Sequence, residues 1–183
     1  MKRSLPILVG AVVVGLALLG AGREGVRGIT HWDRLGPLPP GGPTPAFEVL
    51  TLDGGVIDQR ALQGKVSVVT FWATWCGACV GELGDLEELQ HEYDEQVQFL
   101  AVNNDGGGLS PRQAASRVQH FASKRGMTLP TALDDGSAAR KFRVGPIPHT
   151  LLIGADGVVR YVHQGRVMSA TLRDEIAALL EES

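Results

Sequence analysis

The chain has 183 residues, 44% hydrophobic and 20% charged, enough for one folded domain plus an appendage and for a core that needs no disulfides. A net charge of −3, with no basic run after the first few residues, argues against nucleic acid as a partner. The chain has two cysteines, Cys76 and Cys79, so a two-pair cysteine metal site is excluded as well.

Lys2 and Arg3 precede an apolar stretch from Leu5 to Gly22 that as a helix spans roughly 27 Å, close to the ~30 Å hydrocarbon thickness of a bilayer. The basic residues in front predict a cytoplasmic N-terminus and export of the remainder of the chain. Residues 1–22 are therefore read as a membrane anchor or a cleaved signal sequence. The length and the lack of a clean A-x-A site favour the anchor. Residues 23–45 form a Pro/Gly-rich linker, whose stretch from Gly36 to Pro45 reads as a partly extended spacer.

A single domain is expected over residues 46–183, with strands and helices alternating. Phe47–Leu52 and Val56-Ile57 flank the hairpin-type turn Asp53-Gly54-Gly55. Val66–Trp72 is short, β-branched and aromatic, the pattern of a fully buried strand. Val80, Leu83, Leu86, Leu89, Gln90 and Tyr93 then recur at helical spacing, with Glu82, Glu87 and Glu88 on other faces. Val97–Val102 is a second buried strand. Pro111 opens a helix that Gly126 closes near Arg125, and a short helix covers Ser137–Val144. Thr150–Ile153 and Val158–Val162 form a hairpin around Gly154-Ala155-Asp156-Gly157, followed by an amphipathic helix through Leu172, Ile176 and Leu180.

Cys76-Gly77-Ala78-Cys79 thus falls where a strand ends and a helix begins. Unpaired backbone N–H groups and the positive end of the helix dipole favour a thiolate there. Two thiols on one first turn can close a disulfide reversibly, so thiol–disulfide exchange is the expected chemistry. A structural disulfide would remove little entropy over so short a loop. A zinc site lacks partners, since the histidines are scattered at 31, 91, 120, 149 and 163.

Phe71-Trp72-Ala73-Thr74-Trp75-Cys76-Gly77-Ala78-Cys79 resembles the active-site segment of thioredoxins. Gly64-Lys65-Val66, Gly145-Pro146-Ile147-Pro148-His149-Thr150, Ala155-Asp156-Gly157 and the strand–helix region from Val97 to about Arg125 resemble the membrane-anchored TlpA/ResA-type branch. The resemblance implies an α/β thioredoxin fold over Ala46–Ser183: a central mixed sheet flanked by helices, with an N-terminal β-hairpin and a strand–helix insertion. It implies a cis Ile147-Pro148 peptide beside the sulfurs, against which an extended substrate could pair. It makes Cys76 the exposed attacking thiolate and Cys79 the buried resolving thiol, supported by Trp75, Gly77 and Ala78. The buried Asp that thioredoxins often carry six residues before the first Cys is Thr70 here. Glu82 stands where the TlpA/ResA branch carries an acidic residue, and burial would raise its pKa to suit it as proton acceptor.

Two positions depart from that pattern. Gly84 replaces the usual proline of the active-site helix, and His149 replaces the threonine that commonly follows the cis-proline. His149 could stabilise the thiolate, tune substrate choice, join the sulfurs in a soft-metal site, or be a surface substitution, the reading favoured here. Trp72 reads as packing, and His91, His120 and His163 as surface residues. The expected activity is that of an exported thiol–disulfide oxidoreductase reducing protein disulfides, with cytochrome c maturation or copper-site assembly targets implied by the resemblance. An oxidase or isomerase, or a Cu(I) metallochaperone using the same cysteines, are the alternatives. No resident metal or cofactor beyond the Cys76–Cys79 pair is expected. The expected setting is the bacterial cell envelope, with a membrane thiol donor, protein substrates and a monomeric state.

Overall fold

The computed structural model describes residues 36–105 and 109–183. Residues 1–22, expected to be an anchor or signal segment, and most of the expected linker lie outside the described residues. No helix among the described residues is long and apolar enough to cross a membrane.

The elements in chain order are β1 (Glu48–Thr51), β2 (Val56–Asp58), β3 (Val66–Trp72), α1 (Gly77–Tyr93), β4 (Val97–Asn103), α2 (Pro111–Arg125), β5 (Thr131–Leu133), α3 (Ser137–Lys141), β6 (His149–Ile153), β7 (Val159–Gln164) and α4 (Ser169–Glu181). They build one mixed sheet in the order β2-β1-β5-β4-β3-β6-β7. β3–β4 and β4–β5 are parallel, and the other pairs are antiparallel. This is the thioredoxin-like α/β architecture expected from the sequence.

Every residue of β3 is buried, because both faces of the sheet are covered. Alternate residues feed two cores. Val66, Val68 and Trp72 pack with Leu83, Leu86 and Leu89 of α1, Val118 of α2, and Leu172, Ile176 and Leu179 of α4. On the other face, Val69 and Phe71 pack with Phe47, Leu151, Ile153 and Phe142. Phe142 stands 5.2 Å from Phe47 and 5.3 Å from Phe71 between ring centroids.

Local signals explain the helix ends. Ser110 and Gln113 form a capping box in front of Pro111, and Gly126 closes α2 in the left-handed region at φ 63°. α1 runs unbroken through Gly84. β5 has no counterpart among the expected elements: three residues after Pro130 are too few to show a period, and the strand forms because β4 and β1 flank it.

The spacer reading of the Pro/Gly stretch is corrected for residues 41–44. Gly41 N donates to Val159 O at 2.7 Å, Val159 N to Gly42 O at 2.9 Å, and Thr44 N to Gly157 O at 2.9 Å. Pro43 bridges Val158 antiparallel. Prolines remove donors only at their own positions, so Gly41 and Thr44 still dock the chain beside β7.

Candidate active site

Cys76 is the N-cap residue of α1, placed at the mouth of the helix by the end of β3. Its sulfur accepts from Cys79 N at 3.2 Å, and Cys76 and Cys79 are joined in a disulfide. Cys76 retains 8% exposure and Cys79 1%, so the expected order of accessibility holds, but Cys76 is far less open than an exposed thiolate. The loop before it is tied down by Asp105, which accepts from Thr74 N at 2.7 Å and Thr74 Oγ1 at 2.6 Å. Trp75 is 69% exposed beside the disulfide, and Gly77 and Ala78 are exposed on the first turn.

The Ile147–Pro148 peptide is cis, and the Ile147 carbonyl oxygen lies 3.7 Å from the Cys76 sulfur. The Pro148 carbonyl already accepts from Gly165 N at 2.8 Å. Of these two carbonyls, it is that of Ile147 that lies against the sulfur.

Glu82, three residues after Cys79 among the buried residues of α1, is 1% exposed. Thr150 Oγ1 donates to its Oε1 at 2.5 Å, Thr70 Oγ1 to the same oxygen at 3.3 Å, and Val167 N to Oε2 at 2.9 Å. Thr150 and Thr70 are paired across β6 and β3, their hydroxyls 2.8 Å apart. Burial pushes the Glu82 carboxyl above the ordinary carboxylate range. The hydrogen bonds from Thr150, Val167 and Thr70, and the charge on His163, pull it partly back. A carboxyl whose proton affinity is raised in this way is suited to take up a proton and return it. Thr70 thus supports the carboxylate brought by α1 in place of an acid on β3.

The expectation that the helical spacing sets Glu82 on a face other than the apolar one is corrected, while the burial expected of its carboxyl is found. Cys79, Glu82, Leu83, Leu86 and Leu89 are the buried residues of α1. They follow i, i+3, i+4, i+7 and i+10, so the spacing itself puts Glu82 on the core stripe.

His149 is fully buried, which overturns the surface reading. It pairs with Phe71 on β3, and its ring meets the Phe71 ring edge-on at 6.4 Å. Strand alternation points it to the face opposite Thr150, away from Glu82 and toward the Phe71 core. Neither ring nitrogen has a hydrogen-bond partner among the described residues, and burial lowers its pKa below the ordinary histidine value. This position offers no support for joining the two sulfurs in a metal site. Among the described residues no group of three or more His, Cys, Asp or Glu is arranged to hold a metal.

His163 is corrected too. It is partly buried on β7 with Nε2 2.8 Å from Glu175 Oε2 on α4. The sequence holds no sign of that pair, because the two residues meet only once α4 folds back on β7. Sequence reasoning also misses Asp105, and only its place just after a buried strand that ends level with β3 points to it.

Comparison with known proteins agrees with this geometry. The AhpC/TSA family model matches residues 40–162. The thiol-disulfide oxidoreductase ResA of Halalkalibacterium halodurans is 32% identical over 137 residues, covering 74% of this chain and 73% of that protein. DsbF of Mycobacterium tuberculosis, solved in mixed oxidised and reduced forms, superposes with a TM-score of 0.62 at 30% identity over 73% of this chain and 94% of that one. A secreted M. tuberculosis disulfide oxidoreductase homologous to E. coli DsbE gives a TM-score of 0.62 at 26% identity, over 73% and 96%. With a family match over more than half its length and a CxxC disulfide at the helix mouth, the chain belongs to the AhpC/TSA family and is a thioredoxin-like thiol–disulfide oxidoreductase of the ResA/DsbE type.

Proposed function

We propose that the protein is a reductant of protein disulfides, held outside the cytoplasm by its N-terminal segment, with Cys76 and Cys79 as its working dithiol. The observation that carries this reading is the buried Glu82 carboxyl on the same helix, three residues after a cysteine pair at its mouth.

In the reduced protein, the Cys76 thiolate attacks a substrate disulfide, forming a mixed disulfide and expelling one substrate thiolate. Cys79 then gives its proton to Glu82, and its thiolate attacks the Cys76 sulfur. The second substrate thiolate leaves, and the Cys76–Cys79 disulfide forms. Both substrate thiolates take up protons, one of them supplied as Glu82 is re-ionised, so two electrons pass from the dithiol to the substrate. The helix N-terminus favours the Cys76 thiolate. Trp75, Ile147 and Pro148 frame the approach of an extended segment. His149 supports this frame from beneath, as a buried residue after the cis peptide.

The apolar residues 5–22 behind Lys2 and Arg3 support a cell-envelope location, as does the description of the M. tuberculosis relative as secreted. Electrons would then come from a membrane thiol donor, and apocytochrome c or copper-site proteins are the target class. The protein acts as a monomer. The test is the reduction potential of Cys76–Cys79 in defined thiol buffers. A value near about −270 mV supports the reductant, and one near about −120 mV makes the protein an oxidant instead.

A further inference from the structure

Glu82 is 1% exposed, yet a proton acceptor must recover its charge in every cycle. The groups around it are identifiable. β3 offers Thr70 and β6 offers Thr150, both neutral hydroxyls. The segment before α4 offers Val167 N and the guanidinium of Arg166, which is exposed and held 2.8 Å from Asp85 of α1. β7 offers His163, directly opposite Thr150 in the ladder and so on the Glu82 face of the sheet, with Tyr161 sharing that face. α4 closes the site with Glu175, its carboxylate 2.8 Å from His163 Nε2.

Arg166 keeps its charge at every working pH, and the hydroxyls carry none. Histidine alone among these types changes charge in the neutral range when unperturbed. The geometry points to the His163–Glu175 pair as the element that sets how readily Glu82 takes up and gives back the Cys79 proton. The inference rests on the reading of Glu82 as that acceptor. When His163 is protonated the pair is neutral overall, and the imidazolium favours the Glu82 carboxylate. When His163 loses its proton, Glu175 is left as an unbalanced negative charge and Glu82 holds its proton more tightly. His163 acts through Glu82 and is a positioning residue, not a catalytic one.

The test is a carbon-13 NMR titration of the Glu82 carboxyl in the oxidised protein, assigned by its loss in Glu82→Gln. It is paired with the pH–rate profile for reduction of glutathione disulfide. His163→Gln keeps a polar group beside Glu175 but cannot be protonated. It moves the Glu82 midpoint upward and slows exchange on the acid limb roughly twofold to fivefold, the scale of one partly screened charge. Glu175→Gln leaves that midpoint unchanged or lowers it. A midpoint unmoved in His163→Gln overturns the inference, and so does an upward shift of equal size in both variants, which would mark a packing defect. If Glu82→Gln keeps the wild-type pH–rate profile, the acceptor reading fails, and with it any control of exchange through His163. The carboxyl titration still decides separately whether His163 sets the charge of Glu82.

Discussion

Replacing Thr150 by valine removes one hydroxyl from the buried polar cluster around Glu82 while keeping the shape of the side chain. That hydroxyl donates to Glu82 at 2.5 Å and lies 2.8 Å from Thr70 Oγ1, with Thr150 fully buried. A hydrogen bond to a charged group contributes about 1.5–3 kcal/mol, and one to a neutral group about 0.5–1.5 kcal/mol. Thr150→Val should therefore cost about 1.5–3 kcal/mol above the Glu82 midpoint and about 1 kcal/mol less below it. Denaturant unfolding of the oxidised protein at the two pH extremes reads both numbers. In exchange kinetics the acid limb moves to higher pH, because the lost hydrogen bond had favoured the carboxylate. Thr150→Ser restores the pH-dependent part and loses only a buried methyl, about 0.8 kcal/mol. An equal loss for valine at both extremes, or a serine variant with the same pH dependence as valine, would refute the placement of the hydroxyl on Glu82.

Glu82→Gln should stabilise the oxidised fold at high pH. Burial raises the folded-state carboxyl above its ordinary value of 4.5, so the stability from the protonated form is complete below that value and is lost as pH rises through the folded midpoint. Glutamine removes that loss, so the two melting curves converge in acid and separate above the midpoint; wild-type stability rising through the same window would sink the argument. His149 has the opposite slope. Burial lowers its pKa from 6.5, so its stability is complete above that value and falls as pH drops toward the folded one. His149→Leu should flatten that acid-side slope, and an unchanged slope would show that the ring protonates freely in place. Asp134 is buried, and its carboxylate accepts from Ala138 N at 3.0 Å and Ala139 N at 2.9 Å at the start of α3. Asp134→Ala should cost about 1–3 kcal/mol in denaturant unfolding, and a loss under about 0.5 kcal/mol would mean that water replaces the cap.

The parts of this fold legible in the sequence are those in which neighbours along the chain do the work. A seven-residue apolar run gives β3, Pro111 and Gly126 bracket α2, and the Gly-Ala-Asp-Gly turn joins β6 to β7. The cysteine pair is legible for the same reason, since strand, cap and helix are contiguous. The features that escape depend on register and return of the chain. His149 is buried because β3 and β7 flank it, and Pro43 bridges Val158 because the turn before β7 passes that way. The pairing of His163 with Glu175 needs α4 laid over β7. Glu82 is the instructive middle case. Its position on the Cys79–Leu83–Leu86 stripe is readable from spacing, but a carboxylate there looks polar until Thr70, Thr150 and Val167 are seen to satisfy it.

In the proposed mechanism Glu82 takes the Cys79 proton when the mixed disulfide at Cys76 is resolved. The direct measurement is the single-turnover rate of that resolution across pH, starting from a mixed disulfide between Cys76 and a peptide thiol, in the wild type and in Glu82→Gln. The wild type should show an acid limb that disappears in the variant, with a rate lower by about 10²–10⁴-fold at neutral pH. Equal rates and superimposable profiles would contradict it and leave the carboxyl a structural group held by Thr70, Thr150 and Val167.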